Sequence, residues 1–322
     1  MAVFPLSLDA SASRLACRGG VVSIGNFDGV HRGHQALLGE TMRQAKARGV
    51  PAVAVTFDPH PLEILRPESF QPLLTTLPYR AELIQALGVD HVVLLRTSSE
   101  FLRLSADDFF RRVIVEGLGA AALVEGWNFR FGRGRQGDGE TLTRRGREAG
   151  IDVTLFPAHT VRDRLVSSSV VREDLLAGDV ADAALLLGRP YRLEGKVVRE
   201  QQRGRTLGFP TANLRDVKTL IPGDGVYAVL AHHGGKPWPG AANIGPNPTF
   251  GEQGHKLEVH LIGFQGNLYG HSLAVDFLEK IRNTRPFGNV RDLVAQIRDD
   301  VGKAHAVAGG ALADGARRAP AT

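Results

Sequence analysis

The sequence predicts an α/β protein with two domains: a parallel sheet covered by helices, then an antiparallel β-barrel with a terminal helix. Three observations support this prediction. The chain has 322 residues, which is long for a single hydrophobic core. Its first part alternates short apolar runs with helical stretches, which is typical of a parallel sheet. Its later part carries short strands separated by Gly and Pro turns, as small barrels do.

The first domain is predicted to contain five strands that alternate with helices. A helix follows the first strand, because Leu38, Thr41 and Ala45 recur at helical spacing. Strands and helices in this order favour a sheet with both faces covered. The predicted strands are residues 21–24, 52–57, 92–95, 121–124 and 153–156.

The boundary between the domains is predicted at residue 188. Asp179 has the character of a helix N-cap, and Gly188 followed by Pro190 is a typical stop signal. The first domain is therefore expected to span residues 1–187 and the second residues 188–305.

The second domain is predicted to be an antiparallel barrel followed by one helix. The helix covers residues 290–301, where apolar side chains recur on one face. The chain after Ala304 is rich in Ala, Gly and Arg without periodicity, so residues 306–322 are predicted to be a disordered tail. The predicted barrel strands are residues 191–198, 225–231, 239–244, 257–262 and 272–277.

Composition is that of a globular protein. Hydrophobic residues make up 43% and charged residues 23%, and no apolar run approaches the roughly 18 residues that cross a bilayer. Cys17 is the only cysteine, so a reducing cytoplasm is the expected location. The net charge of +5 is spread along the chain, and phosphorylated small molecules explain it as well as nucleic acid does. We expect no nucleic-acid or membrane partner.

Two histidines mark a predicted phosphate site. His31 and His34 frame Gly33 at the junction between the first strand and the following helix. Backbone N–H groups and the helix dipole favour an anion there, and imidazoles add donors that can follow charge growing on a phosphate. A Walker loop is excluded in this domain because its only lysine, Lys46, lies inside a helix. The alternative is a polar capping turn with incidental histidines.

Two loops after predicted strands carry further candidates. Asp58 lies in a proline-rich segment after the second strand, where a structural turn is the alternative. Asn128 and Phe129 follow the fourth strand and suit a planar ring with imide groups, with an aromatic packing cluster as the alternative.

A serine-rich segment precedes another predicted helix. Ser167 and Ser168 lie at its start, and Arg172 follows one turn later. Hydroxyls and a guanidinium at a helix start can form a second phosphate cradle, whereas ordinary serine capping is the alternative.

A glycine-rich segment in the second domain, residues 203–214, reads Arg-Gly-Arg-Thr-Leu-Gly-Phe-Pro-Thr-Ala-Asn-Leu. Its glycines, Gly208 among them, allow the backbone to approach a phosphate closely. Thr211 and Asn213 supply small oxygen ligands that suit Mg²⁺. A glycine-rich turn is the alternative.

A later predicted strand carries a candidate base. Period-two alternation places Leu257, Val259 and Leu261 on one face. Glu258 and His260 occupy the opposite face, away from the core. An exposed strand glutamate is ordinarily just solvated, so the pattern alone leaves its role open.

Together these segments closely resemble those of the prokaryotic bifunctional riboflavin kinase/FMN adenylyltransferase family, also called FAD synthetase, over residues 21–301. The resemblance implies a Rossmann-like nucleotidylyltransferase domain followed by a riboflavin kinase barrel. It also implies two ATP-dependent steps with Mg²⁺: riboflavin to FMN, then FMN to FAD with release of pyrophosphate. The expected partners are riboflavin, FMN, FAD and ATP, and the chain is expected to be a monomer or to self-associate weakly.

The resemblance further implies roles for individual residues. His31 and His34 are expected to contact the ATP phosphates in the transition state, and Glu258 to take the proton from the riboflavin 5′-hydroxyl. Thr211 and Asn213 are the expected metal ligands. The expected ATP and phosphate contacts are Gly25, Phe27, Gly33, Ser167, Ser168, Arg172, Gly208 and Pro210, and the expected flavin contacts are Asp58, Asn128 and Phe129.

Some positions depart from the family pattern. Val170 stands where the family usually has an arginine, and Arg199 with Glu200 replaces a usual His-Gly pair. Two other classes of function predict different sequence features. An RNA-binding protein would need basic and aromatic residues clustered on one face, and a flavin-binding regulator would be expected to have lost Glu258 or the histidine pair.

Overall fold

In a computed structural model the chain forms two compact units. The first consists of Met1–Gln71 and Thr76–Ser167, and the second of Pro72–Thr75 and Ser168–Thr322. The structure describes residues 2–6, 17–200, 204, 207–247 and 252–318.

The first unit contains a six-stranded parallel sheet with the order β1-β4-β3-β2-β5-β6. All five predicted strands are confirmed. The sequence prediction missed β1, because Pro5 within the run Ala2–Leu6 argues against a strand. An edge strand tolerates proline, and β1 lies at the edge beside β4. The strands are β1 (Ala2–Leu6), β2 (Val21–Ile24), β3 (Ala52–Asp58), β4 (His91–Arg96), β5 (Ala122–Gly126) and β6 (Asp152–Phe156).

Helices cover both faces of this sheet. Two hydrophobic clusters result, one beneath α1 and α3 and the other beneath α5, the π-helix and α6. Because both faces are covered, β2 is buried at all four positions, which explains its uninterrupted apolar run. The helices are α1 (Arg32–Arg48), α2 (Pro61–Leu65), α3 (Leu77–Ala86), α4 (Ser99–Leu102), α5 (Ala106–Phe109), a π-helix (Phe110–Leu118) and α6 (Gly139–Ala149). Shorter elements are the 3₁₀ turns Pro67–Ser69 and Arg133–Arg135 and a hairpin of β7 (Thr160–Val161) and β8 (Arg164–Leu165).

The strand order reverses at β2. The chain places β3 and β4 on one side of β2, and β5 and β6 on the other. Open α/β sheets bind ligands at the carboxyl ends of the strands that flank such a reversal. Backbone pairing between β2 and β5 covers only Val21 with Ala122 and Val22 with Leu123, so these strands separate before their carboxyl ends.

The second unit is a closed antiparallel barrel with the order β10-β13-β12-β11-β14-β9. The five predicted strands are confirmed, and β10 was missed because it lies within the segment interpreted as a glycine-rich loop. The strands are β9 (Tyr191–Val198), β10 (Ala212–Arg215), β11 (Gly225–His233), β12 (Lys236–Asn247), β13 (Glu252–Leu261) and β14 (Ser272–Arg282). Two helices, α7 (Ser168–Ala177) and α8 (Val180–Leu187), precede the barrel, and Gly188 ends α8 as predicted.

The chain ends in a long helix, α9 (Val290–Arg318). The predicted disordered tail over residues 306–322 is therefore wrong as far as Arg318. Ala and Arg are strong helix formers even without an amphipathic pattern, and Ala304 and Ala308 are both buried. In the described part of the chain, no helix is both long and apolar enough to cross a membrane.

An ion pair attaches α9 to the barrel. The guanidinium of Arg282 donates to both carboxylate oxygens of buried Asp300, at 2.7 to 3.0 Å. We expect Asp300→Ala to lower the free energy of unfolding of the barrel by about 3 kcal/mol, because it leaves a partly buried cation unpaired. Urea unfolding in a Trp127→Phe background checks this, since Trp238 is then the only tryptophan.

The adjacent residue supplies the control. Asp299 pairs with Lys303 at 2.8 Å, and both side chains are more than half exposed. Asp299→Ala is expected to change the stability by less than about 0.5 kcal/mol. Equal effects of the two substitutions would contradict the role assigned to Asp300.

Candidate active sites

The loop from β2 to α1 has a strained backbone. Phe27 and Val30 have φ angles of 46° and 42°, in the left-handed region. Such conformations cost non-glycine residues about 1–3 kcal/mol each. Both side chains are almost completely buried in the cluster beneath α1. Their burial holds the loop in the conformation that presents the histidines.

His31 lies at the start of α1, as predicted, and its side chain forms the helix cap that the sequence left open as the alternative. Its Nδ1 accepts a hydrogen bond from the backbone N–H of His34 at 3.2 Å. In a neutral ring the proton therefore lies on Nε2. The two imidazoles stack with centroids 3.6 Å apart and planes 14° apart. The pair thus forms a single preorganised unit at the start of the helix.

Gly33 lies directly beside the ring of His31. A Cβ atom at residue 33 would lie 3.2 Å from Nδ1 of His31 and 3.6 Å from the carbonyl oxygen of Val166. The ring of His31 therefore occupies the space beside Gly33 in this structure. The same contact brings residue 166, which precedes Ser167, close to the start of α1.

His34 is kept neutral by its surroundings. Burial lowers the pKa of its imidazole well below the ordinary value, and the charges of His31 and Arg80 lower it further. Its ring and that of Phe27 pack edge to face, with centroids 5.3 Å apart. Its Nδ1 is buried and has no hydrogen-bond partner among the described residues. A neutral imidazole can donate to an anion without itself carrying a full charge.

A buried cation beneath the loop was not predicted. Arg80 of α3 is 2% exposed, and it donates to Asp28 at 3.2 Å and to the hydroxyl of Thr56 at 3.5 Å. The Thr56 hydroxyl donates to the carbonyl of Asn26 at 3.0 Å. Arg80 therefore links α3 and β3 to the histidine loop. No local pattern marks it, because 52 residues separate it from Asp28.

The loop after β3 contains one structural and one exposed candidate. His60 caps α2, because its Nδ1 accepts from the backbone N–H of Leu62 at 3.1 Å. Its ring also packs 5.3 Å from that of Phe70. Asp58 ends β3 with an exposed side chain.

The aromatic segment after β5 is divided between core and surface. Phe129 packs against the core and stacks with Phe131 at 5.6 Å, so the packing cluster considered as an alternative does exist. Asn128 is exposed, and Trp127 is 55% exposed. These two side chains offer a polar group and an aromatic face at the carboxyl end of β5.

The serine segment begins α7 as predicted. Ser167 precedes this helix and belongs to the first unit. Ser168 and Arg172 lie in α7 and belong to the second unit. The Arg172 Nε donates to the carbonyl of Pro72 at 3.2 Å.

The second unit places polar residues side by side on three strands. Glu258 of β13 is paired in register with Asn213 of β10 and with Asn243 of β12. The predicted alternation is confirmed, because Leu257, Val259 and Leu261 are buried and Glu258 is only partly buried. Register therefore brings two residues from distant predicted motifs next to each other.

Asn213 has the character of a cation ligand. Its side chain is 7% exposed, and its Oδ1 is buried without a hydrogen-bond partner among the described residues. A buried amide oxygen left unpaired costs free energy, and a hard cation is a partner that would remove this cost. Thr211, two residues earlier, is partly buried.

A cavity of about 300 Å³ opens beside this segment. Arg199 lies over the ring of Tyr269 at 5.0 Å, so one of the departures from the family pattern contacts the cavity wall. Gly208, with φ of 88°, and Pro210 are exposed. The cavity is lined by Val197, Pro210, Thr211, Ala212, Val259, Leu261, Phe264, Gln265, Gly266, Asn267, Leu268 and Tyr269.

Glu200, which also departs from the family pattern, belongs to a cluster of ion pairs. Glu200 accepts from Arg215 at 2.6 Å and lies 3.3 Å from Nζ of Lys256. Burial acts to raise the pKa of Glu200, but the hydrogen bonds from the two cations lower it below the ordinary value. Arg203, Arg205 and Thr206 of the glycine-rich segment and residues 248–250 of the Asn-Pro-Thr-Phe segment lie outside the described residues.

An ATP-dependent transferase with two separate active sites is the class that this fold and these residues define. Residues 14–170 match the FAD synthetase family and residues 187–308 match the riboflavin kinase family. The chain belongs to the bifunctional riboflavin kinase/FMN adenylyltransferase family. It therefore phosphorylates riboflavin with ATP to FMN and adenylylates FMN with ATP to FAD.

Curated relatives carry both activities in their names. The bifunctional riboflavin kinase/FMN adenylyltransferase of Escherichia coli K12 is 40% identical over 88% of this chain and 90% of its own length. That of Pseudomonas fluorescens is 41% identical over 90% and 94%. A solved structure from Streptococcus pneumoniae, described as a macrolide-efflux protein, superposes with a TM-score of 0.82 at 30% identity, covering 93% of this chain and 97% of that chain.

A buried carboxylic acid at the strand reversal was also missed. Glu125 of β5 is 1% exposed, and its Oε1 accepts from the backbone N–H of Ile24 at 2.8 Å. It bridges β2 and β5 where their backbone pairing has stopped. Burial raises its pKa well above the ordinary value, despite the hydrogen bond from Ile24.

Glu125→Gln tests this protonation state through stability. A carboxyl whose folded pKa is raised makes the protein less stable as pH rises above the unfolded pKa, because only the unfolded state ionises there. We expect the variant to gain stability relative to the parent by about 1.4 kcal/mol per pH unit above pH ~4.5, up to the folded pKa. Denaturant unfolding between pH 4 and 8 measures this gain. Parallel stability curves for the two proteins would contradict it.

Proposed function

We propose that residues 1–187 perform adenylyl transfer and residues 188–305 perform phosphorylation. The family matches over 14–170 and 187–308 support this division. The observation that carries the first assignment is the stacked histidine pair at the start of α1. The observation that carries the second is the register that pairs Asn213 with Glu258.

In the first reaction, a phosphate oxygen of FMN attacks the α-phosphorus of ATP. A bond to this phosphorus forms as the bond to pyrophosphate breaks. FMN phosphate is already an anion near neutral pH, so no strong base is needed. His31 and the neutral His34 donate hydrogen bonds to the phosphates at a helix N-terminus, where negative charge is favoured.

The remaining contacts of the first site are assigned by role. Gly25, Phe27 and Gly33 shape the histidine loop around the ATP phosphates. Ser167, Ser168 and Arg172 supply hydroxyls and a guanidinium to the phosphates. Asp58, Asn128 and Phe129 meet the flavin, with the exposed indole of Trp127 as an additional surface.

In the second reaction, the 5′-hydroxyl of riboflavin attacks the γ-phosphorus of ATP. Glu258 takes the hydroxyl proton as the new oxygen–phosphorus bond forms, and ADP leaves. Gly208 and Pro210 lie against the ATP phosphates. This reaction needs a base because an alcohol, unlike a phosphate, is neutral before it attacks.

Thr211 and Asn213 would hold Mg²⁺ in the kinase site. The unpaired buried Oδ1 of Asn213 supports this assignment. Bound there, Mg²⁺ would neutralise charge on the ATP phosphates. We also propose that the protein is cytoplasmic and has no nucleic-acid or membrane partner. It is monomeric or self-associates weakly.

His31→Ala is expected to reduce FAD formation from FMN by about 10²–10³-fold, because a preorganised donor to the developing charge is lost. Chromatographic separation of riboflavin, FMN and FAD over time measures both activities in one assay. Kinase activity should remain, which shows that the variant is folded. His60→Ala removes a comparable helix cap and should not produce the same loss. Equal losses in both variants would overturn the assignment of His31.

Glu258→Gln should show the opposite pattern. The amide keeps the shape of the side chain but cannot accept the proton, so FMN formation should fall by about 10²–10⁴-fold. FAD formation from supplied FMN should be unchanged. A fully active kinase would contradict the assignment of Glu258.

A further inference from the structure

His260 lies two residues after Glu258 on the same face of β13. Its Nδ1 is 2.8 Å from the carbonyl oxygen of Pro210. A carbonyl oxygen only accepts, so Nδ1 of His260 donates this hydrogen bond. The ring also meets that of Phe209 edge to face, with centroids 5.7 Å apart and planes 79° apart. Two separate contacts therefore join β13 to the glycine-rich segment.

Among the described residues, few other backbone hydrogen bonds hold the segment before β10. The Phe209 N–H donates to the carbonyl of Gly204 at 2.7 Å. Regular pairing with β13 begins only at Ala212, opposite Val259. Pro210 has no N–H, so its carbonyl is the backbone group through which it can be held. The His260 side chain provides that hydrogen bond immediately before Thr211.

We propose that His260 is a positioning residue of the kinase site, holding Thr211 close to Glu258 through the carbonyl of Pro210. The proposal rests on the roles proposed above for Thr211 and Glu258. Residues i and i+2 of a strand are about 6.8 Å apart and project to the same side. Glu258 and His260 thus belong to one strand, β13. This strand sets the distance between the proposed base, Glu258, and the segment that contains Thr211.

Two substitutions separate the hydrogen bond from the packing. His260→Phe keeps an aromatic ring against Phe209 but removes the donor. His260→Asn loses the ring but can place an amide N–H near the position of Nδ1. If the hydrogen bond positions Thr211, the kinase kcat/KM of His260→Phe falls by up to about 10²-fold. His260→Asn stays within about fivefold of the parent. Loss in the Asn variant with retention in the Phe variant would overturn the proposal in favour of ring packing.

A double-mutant cycle tests the route through Thr211. His260→Phe is expected to raise the Mg²⁺ concentration needed for half-maximal kinase activity, a readout that general destabilisation does not move selectively. In a Thr211→Val background, the same substitution should have little further effect, because the group being positioned is gone. Fully additive losses would overturn the proposal. FAD formation from FMN by each variant confirms folding of the rest of the chain.

The same assays distinguish failure of this inference from failure of the proposed function. If Glu258→Gln abolishes phosphorylation and His260→Phe behaves like the parent, only the positioning role is wrong. If Glu258→Gln is fully active, the proposed kinase mechanism itself is wrong.

Discussion

The buried pair of Arg80 and Asp28 is the constraint on which the first site depends. A charge taken out of water must be paired, and removal of either partner leaves the other uncompensated. Arg80 meets Asp28 within the histidine loop and Thr56 at the carboxyl end of β3. Arg80 therefore connects the loop between β2 and α1 to strand β3 of the sheet. It does so where two non-glycine residues adopt left-handed backbone conformations that need such support.

The same cation also influences the chemistry above it. Its charge adds to burial and to His31 in lowering the pKa of His34. A neutral imidazole gives up the full charge that would attract a phosphate, but it keeps a directed hydrogen bond. Structural support and electrostatics at this site thus come from one side chain.

Sequence reasoning succeeded where the information is local. The position of His31 at the start of α1, the end of α8 at Gly188 and the alternation around Glu258 each depend on residues within one turn or strand. Arg80 and Glu125 were missed because their partners lie far away in sequence, at Asp28 and Ile24. Their importance arises only when the sheet is assembled.

The errors have equally specific causes. Strand β1 contains a proline, a residue that sequence rules disfavour inside strands but that edge strands accept. The missed strand β10 lies inside a segment whose glycines and proline indicate a turn, and pairing with β13 overrides that local preference. The terminal helix extends beyond its predicted end because amphipathic periodicity is not needed for a helix, and alanine and arginine favour helix without it.

The nucleophiles of the two reactions differ in whether a proton must be removed, and the two units place their candidate residues on different kinds of backbone element. Adenylyl transfer starts from a phosphate nucleophile, so the first unit can rely on neutral donors at a helix start. Phosphorylation starts from an alcohol, and the second unit contains the carboxylate of Glu258 on β13. The register with β10 and β12 fixes the position of this residue along the strand. A helix end concentrates N–H groups and positive potential, whereas a paired strand holds one side chain against its partners at a set register. The role proposed for each residue therefore matches the element that carries it.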